Sequence, residues 1–373
     1  MNLTLCAPCH FGLEGIVADE MRRLGLKNVR AENGRVRFDG TEADLAKASI
    51  NLRCAERLLV EVGSFEATTF DQLFEGVKAL PFENFIPKNG RFPVKGYSIT
   101  SKLFSISDCQ SIIKKAVVTR LSQKYGLEWF PEDGETIQIQ FAIMNDIATI
   151  YLDTSGEGLH KRGYRPAHVA APLSETLAAA MVILSRYRGR DDFCDPFCGS
   201  GTLAIEAALI AKNRAPGLNR KFAAEEWTCF DRKVWRDARE EAPTREFKGD
   251  YRIFGSDIDP EAVAISKKNA VLAGVDDVVN FSVADATKFD RKTERGVIVT
   301  NPPYGERIME KREAEVLYSA FGKAYFASEN WNLYLLSSHT EFERTFGKNA
   351  DKKRKLYNGM IKCDLYMYLI SKQ

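Results

Sequence analysis

At 373 residues the chain exceeds one ordinary domain, and at roughly 100–200 residues per domain it has room for two or three. Apolar residues at 45%, aromatics at 11% and charged residues at 28% exclude a wholly disordered, collagen-like or disulfide-framework protein. With 53 basic and 51 acidic residues the formal charge is +2, so the whole-chain field neither demands nor excludes a polyanionic partner, and only a local patch can argue for nucleic acid.

The first residues, MNLTLCAPCHFGLEG, lack the basic and apolar regions of a secretory leader, and no apolar stretch is long enough to span a membrane. Eight scattered cysteines suit reduced thiols. The expected address is the cytoplasm.

In chain order, residues 1–63 read as a strand at 3–7, a helix at 13–24, a hairpin turning at Asn33-Gly34 and an apolar-periodic run at 45–59. Residues 64–154 read as a second small α+β unit: a helix near 69–80, a strand in FPVKGYSI, a helix at 107–125 and a hairpin around Asn145-Asp146, where alternation at period two marks half-buried strands. From residue 155 to the end, strands and helices alternate, the signature of a parallel sheet wrapped by helices. The predicted helices there cover 173–186, capped by Ser174 or Pro172, then 202–212, 260–273 and 313–327. KRKLYNGMIKCDLYMYLI reads as a hairpin turning at Asn358-Gly359, giving seven strands with a reversed edge. No internal repeat or low-complexity tract is present.

The strongest local signal is Asp195-Pro196-Phe197-Cys198-Gly199-Ser200-Gly201-Thr202 between a short strand and a helix. Gly199 and Gly201 let the backbone approach a ligand at the strand ends, where open α/β sheets bind them. GSGTLA also fits the dinucleotide pattern G-x-G-x-x-A, and a tight turn without ligand would fit too. Two details disfavour a dinucleotide. Asp195 would repel a pyrophosphate but could receive the ammonium of an amino-acid-like cofactor, and a sulfonium amino acid fits better. The second strand-end acid, Asp257, follows 62 residues later, with a charged insertion at 213–250, rather than about 20 residues on as dinucleotide folds place it. Asp257 could hold both ribose hydroxyls, whereas Asp259 before Pro260 reads as a helix cap. Asp285, ending VVNFSVAD, suits the adenine amino group.

The decisive group is Thr300-Asn301-Pro302-Pro303-Tyr304-Gly305, directly after the apolar strand GVIV. An exocyclic amine on a base is a poor nucleophile because its lone pair is delocalised into the ring. The Asn301 side-chain oxygen and the Pro302 carbonyl can accept its two hydrogens, aligning nitrogen with a methyl donor while Tyr304 stacks on the base, an interaction worth about 1–3 kcal/mol. A charged sulfonium is its own leaving group, so alignment supplies most of the rate and neither a metal nor a covalent nucleophile is needed.

These residues resemble the class I methyltransferases that use S-adenosylmethionine to methylate exocyclic amines, with the pattern D-P-x-x-G-x-G followed by N-P-P-Y. LHKRGYR at 159–165, APLSETLAAA at 171–180, APGLNR at 215–220 and KLYNG at 355–359 further resemble the THUMP-domain methyltransferases that make N2-methylguanosine in RNA. Within these, the chain is most similar to the bacterial large-subunit ribosomal RNA guanine-N2 methyltransferases, as a stand-alone chain like the N-terminal half of the bifunctional enzyme. The resemblance implies a ferredoxin-like domain at 1–63, a THUMP RNA-binding domain at 64–154 and a Rossmann-like seven-stranded methyltransferase domain at 155–373. It also implies that Asp195, Phe197, Gly199 and Gly201 line the cofactor's amino-acid end, Asp257 and Ile258 its ribose and adenine, and that Asp285 reaches adenine. Ser174 and Glu175 would belong to a helix closing over methionine, while Asn301, Pro302, Pro303 and Tyr304 hold the target amine. N-P-P-Y is shared with adenine-specific DNA methylases, so the tetrapeptide does not choose the base; guanine N2 in tRNA, adenine N6 in DNA or RNA, and a non-catalytic RNA-binding assembly factor remain the rivals.

For RNA, residues 84–130 hold eight basic side chains against Asp108 and Glu128. Lys102, Lys114 and Lys115 would form a phosphate-binding face, and His160, Arg162 and Arg165 would hold phosphates near the catalytic mouth. A third basic cluster runs from Lys348 to Lys355. Cys6-Ala7-Pro8-Cys9-His10 matches a haem-attachment pattern and half a zinc site but reads as two semi-buried thiols at a strand end, and no metal is expected. Oligomeric state is not readable from the sequence.

Overall fold

The computed structural model describes residues 1–166, 173–304 and 311–370. The first part of the chain runs β1 (Asn2–Pro8), α1 (Glu14–Arg23), β2 (Lys27–Glu32), β3 (Arg35–Thr41), α2 (Glu42–Asn51), β4 (Leu59–Glu66), α3 (Phe70–Lys78), β5 (Val94–Ile99), α4 (Ile106–Tyr125), β6 (Gln138–Met144) and β7 (Ile147–Asp153). The Asn33-Gly34 turn forms as expected, with Gly34 at φ +73°. Thr41 opens α2 with a reciprocal cap, its hydroxyl accepting from the Asp44 amide while the Asp44 carboxylate accepts from the Thr41 amide.

The sequence suggests two separate small units here; the structure shows one seven-stranded sheet in the order β2-β3-β1-β4-β7-β6-β5. β4 joins the halves by pairing antiparallel with β1 on one side and β7 on the other, so residue 63 lies within a central strand. Leu5, Phe38, Ile143 and Leu152 are fully buried along it.

The second part runs α5 (Glu175–Leu184), β8 (Asp192–Asp195), α6 (Thr202–Ala211), α7 (Arg232–Thr244), β9 (Ile253–Asp257), α8 (Pro260–Ala273), β10 (Val279–Val283), β11 (Gly296–Thr300), α9 (Lys311–Ala327), β12 (Trp331–Ser337), α10 (Phe342–Phe346), β13 (Lys352–Asn358) and β14 (Ile361–Tyr368). Its sheet is ordered β10-β9-β8-β11-β12-β14-β13, with the first five strands parallel. The reversed strand is not at the edge. β14 pairs antiparallel with β12 and carries β13 outside it. Composition explains the exchange: Leu365, Tyr366 and Tyr368 of β14 are buried, whereas KKRK of β13 is a charged rim that resists pairing with another chain.

The charged insertion at 213–250 contains α7, whose Trp235, Ala238 and Ala242 are buried at helical spacing. Trp235 stacks on Phe222 at 5.4 Å, and α7 packs on α2, tying the catalytic sheet to the first one. No helix among the described residues is long and apolar enough to cross a membrane.

Candidate active site

Asp195, Asp257 and Thr300 end three neighbouring parallel strands, β8, β9 and β11, at the point where strand order reverses on either side of β8. Asp195 is 1% exposed. Its Oδ1 accepts from the Thr300 hydroxyl at 2.7 Å and from the Phe197 amide at 3.2 Å. Burial pushes its carboxyl up to about 7, the Asp257 charge adds to the shift, and the Thr300 and Phe197 hydrogen bonds oppose it. A buried carboxyl held so far above its usual range fits a cationic partner such as an amino-acid ammonium.

The glycines shape the loop that follows. Gly199 donates its amide to Asp257 Oδ2 at 2.9 Å, drawing the turn onto the end of β9. Gly201 lies at φ +86°, and a Cβ there would come within 2.8 Å of the Ser266 Cβ and 2.9 Å of the Phe281 ring. Only glycine fits both the backbone and the space. Asp257 Oδ1 accepts from the Asp259 amide at 3.0 Å, so each carboxylate oxygen makes one backbone bond and keeps a lone pair that a ribose hydroxyl could use. Ile258 is 71% exposed beside it, an apolar surface suited to a purine face. Asp285 caps the short 3-10 turn Ala286–Lys288 through Thr287, with bonds of 2.9 and 2.7 Å to Oδ1, while Oδ2 faces the exposed Lys288 ammonium at 3.7 Å. The Phe197 side chain turns away into the core and meets Phe321 edge-on at 5.1 Å. These donors and acceptors fit S-adenosylmethionine: a carboxyl for its ammonium, a carboxylate for its ribose and an apolar wall for its adenine.

Asn301 follows Thr300 directly, so the group that anchors Asp195 also places the carboxamide. Tyr304 donates its hydroxyl to the Asn301 side-chain oxygen, and its ring is half-buried against the core rather than standing free. Tyr318 donates to the Pro303 carbonyl at 2.6 Å and pins the end of the tetrapeptide; Gly305 lies outside the described residues.

Ser174 and Glu175 are occupied elsewhere. The Ser174 hydroxyl accepts from the Leu177 amide as the cap of α5, and Glu175, 2% exposed, pairs with Arg165 at 3.1 Å. Arg165 also donates to the Leu173 carbonyl and the Thr202 hydroxyl, both at 2.7 Å, and so braces the start of α6 behind the glycine loop. Pro172 lies outside the described residues.

The linker arginines are engaged by internal partners. Arg162 is 3% exposed, paired with Glu206 of α6 and donating to the Leu159 and Arg53 carbonyls. Arg165 is held by Glu175, and His160 faces Glu56 at 3.3 Å. Internal carboxylates already pair with Arg162 and Arg165, and a phosphate would have to displace them. Lys114 likewise pairs with Glu132 at 2.5 Å and lies 3.6 Å from the centre of the Phe92 ring. Arg120 and Lys124 share Glu83. The local basic excess is therefore smaller than it reads, because Glu83 and Glu132 lie just outside residues 84–130. Lys102 and Lys115 remain exposed.

Two structural roles escape sequence reasoning. Arg220, inside APGLNR, donates to the carbonyls of Ser155, Glu157, Gly158 and Lys161 and clamps the linker. Glu206 is a lone acid in the apolar helix TLAIEAALIA, and that mismatch is the signal of a buried partner. Cys6 and Cys9 are buried, with thiols pushed up to about 11 and about 12, and His10 Nε2 faces Glu56 at 3.1 Å. No group of three potential metal ligands occurs among the described residues.

Comparison with known proteins agrees with this architecture. Family models match an RlmL ferredoxin-like domain at residues 4–59, a THUMP domain at 67–153 and the UPF0020 RMKL-like methyltransferase domain at 162–367. The chain is 46% identical over 371 residues to the Bacillus subtilis protein named "Putative RNA methyltransferase YpsC", covering 98% of this chain and 95% of that one. It is 34% identical to "Ribosomal RNA large subunit methyltransferase K/L" of Psychromonas ingrahamii over 99% of its own length, but it spans only 50% of that relative. The crystal structure of SMU.472, described as a putative methyltransferase complexed with SAH, superimposes with a TM-score of 0.93 at 40% identity, covering 100% of this chain and 99% of that one. The chain therefore belongs to the UPF0020 family of RMKL-like, S-adenosylmethionine-dependent RNA methyltransferases, with the ferredoxin-like and THUMP domains ahead of the catalytic sheet.

Proposed function

We propose that this enzyme transfers a methyl group from S-adenosylmethionine to the exocyclic N2 amine of a guanine in RNA, with 23S rRNA as the substrate. One observation carries the reading. The Thr300 hydroxyl bonds Asp195 while the next residue, Asn301, presents the amine acceptor, so donor and acceptor subsites meet at adjacent strand ends. The K/L relatives are named for large-subunit ribosomal RNA, which supports the substrate, and the THUMP domain supports RNA over DNA.

The cofactor supplies an activated methyl group on a sulfonium that leaves as a neutral thioether. Asp195 would hold its ammonium, the lone pairs of Asp257 its ribose hydroxyls, Ile258 and Asp285 its adenine, and the Arg165–Glu175 pair would support the loop from behind. Asn301 Oδ1 and the Pro302 carbonyl would accept the amine hydrogens. The carboxamide oxygen has two lone pairs, so it can keep the Tyr304 hydroxyl while accepting the amine, and that bond orients the ring beside the base. A paired guanine must first leave its stack, at a cost of a few kcal/mol.

The decisive experiment is methyl transfer from tritiated S-adenosylmethionine to rRNA and tRNA isolated from cells lacking the protein, followed by nucleoside analysis. N2-methylguanosine in large-subunit RNA is expected. Label in N6-methyladenosine, or only in tRNA, would replace the substrate assignment, and failure to bind S-adenosylmethionine in calorimetry would favour a non-catalytic assembly factor.

A further inference from the structure

The β13–β14 hairpin carries a feature that catalysis at Asn301 does not use. Asn358 pairs with Ile361, so the loop is the two residues Gly359-Met360, one position later than the sequence suggests. Gly359 sits at φ +63° while Met360 does not share that sign, the pattern of a type II′ turn with glycine first. Such a turn is short and stiff, and it leaves Met360 98% exposed, the most exposed large apolar side chain among the described residues.

This exposed methionine stands beside the reaction centre. Asn358 and Cys363, on the two strands of the hairpin, both act on the Tyr304 phenol. Leu356, Asn358, Ile361 and Cys363 share the face of the hairpin turned to Tyr304, by strand alternation and register. The Met360 Cα is two residues from that of Asn358 and thus at most about 7.6 Å away. At its other end the hairpin is anchored by Arg354, which donates to the Gly12 carbonyl in the first sheet's unit at 2.5 Å. Lys352, Lys355 and Lys362 are exposed along it. A basic arm thus ends in one apolar side chain two residues beyond Asn358, which acts on Tyr304.

We propose that Met360 is a wedge that enters the base stack of helical RNA and fills the space left by the base presented to Asn301 and Tyr304. Apolar side chains inserted at base steps unstack them, and the exposed lysines offer phosphates the counter-charge that would hold the arm against the backbone. Met360 is a positioning residue: it acts on the neighbours of the reacting base, not on the amine. The inference rests on the RNA substrate proposed for the enzyme.

The test compares wild type, Met360→Ala and Met360→Leu on folded rRNA from cells lacking the protein. Met360→Ala is expected to lower kcat at least about tenfold, with KM for RNA changed less than about twofold, unaltered S-adenosylmethionine binding and an unaltered melting temperature. Met360→Leu, of similar volume, should restore most of the rate. Full activity of the alanine variant, a loss confined to KM, or failure of leucine to rescue would overturn the wedge while leaving the RNA reading intact. Absence of methyl transfer to any RNA by the wild-type protein would instead overturn that reading, and the wedge with it.

Discussion

Asp195 and Asn301 sit at neighbouring strand ends yet should respond to substitution in opposite ways. In the cofactor-free protein the Asp195 carboxyl holds its proton up to about pH 7, because burial disfavours its charged form. An incoming ammonium favours the carboxylate, so below that pH binding must expel a proton. Affinity for S-adenosylmethionine is therefore expected to fall by up to about tenfold per pH unit as pH drops below about 7, and to level off above it. Calorimetry across that range in buffers of different ionisation enthalpy would show the released proton; a pH-independent affinity would show that Asp195 is already ionised or not engaged. Asp195→Asn should bind weakly and without this dependence. Asn301→Ala should leave cofactor binding within a few fold and abolish turnover, because it removes an interaction made with the reacting amine. Retained turnover would reject its role.

At the level of elements, most of what positions the site was legible. The Asn33-Gly34 hairpin, the Pro260 start of α8 and the strand before Asn301 follow from turn chemistry, caps and apolar runs that act within a few residues. Long-range information was what the sequence withheld. That β4 would bind both β1 and β7, that β14 would insert inside β13, and that Arg162 would face Glu206 depend on partners up to about a hundred residues away, which no local pattern names. The same blindness hides the glutamates that Arg162 and Arg165 meet: a cation in a motif reads alike whether its partner is a phosphate or a glutamate. The distinction is measurable. Arg162→Ala leaves Glu206, 0% exposed, without its ion-pair partner, and breaking such a pair costs about 3–5 kcal/mol. A marked drop in the thermal midpoint is expected, with no change in the salt dependence of RNA binding. An unchanged midpoint together with a flattened salt response would return Arg162 to the RNA surface.

Across the whole molecule, α7 docking on α2 and Arg354 reaching Gly12 fasten the catalytic sheet to the first one, so any RNA held on the THUMP part would be presented to Asn301 from a fixed direction. The charge of +2 hides this because many cations are neutralised within the fold: Lys114, Arg120, Arg162 and Arg165 all face carboxylates. Lys102, after the end of β5, and Lys115, on α4, stay exposed, as do Lys88, Arg91 and Lys95 of the same domain. Reversing both, Lys102→Glu with Lys115→Glu, should weaken RNA binding and flatten the log–log salt slope by about 0.7–0.9 for each phosphate no longer neutralised. Lys114→Glu, by contrast, should act mainly on stability, since its ammonium is held by Glu132 and the Phe92 ring and the reversal sets two carboxylates face to face. Filter-binding titrations of rRNA over a range of salt, run beside thermal melts of each variant, separate the two outcomes. If the double variant keeps the wild-type slope, the RNA approaches the catalytic mouth over a different face of the THUMP domain.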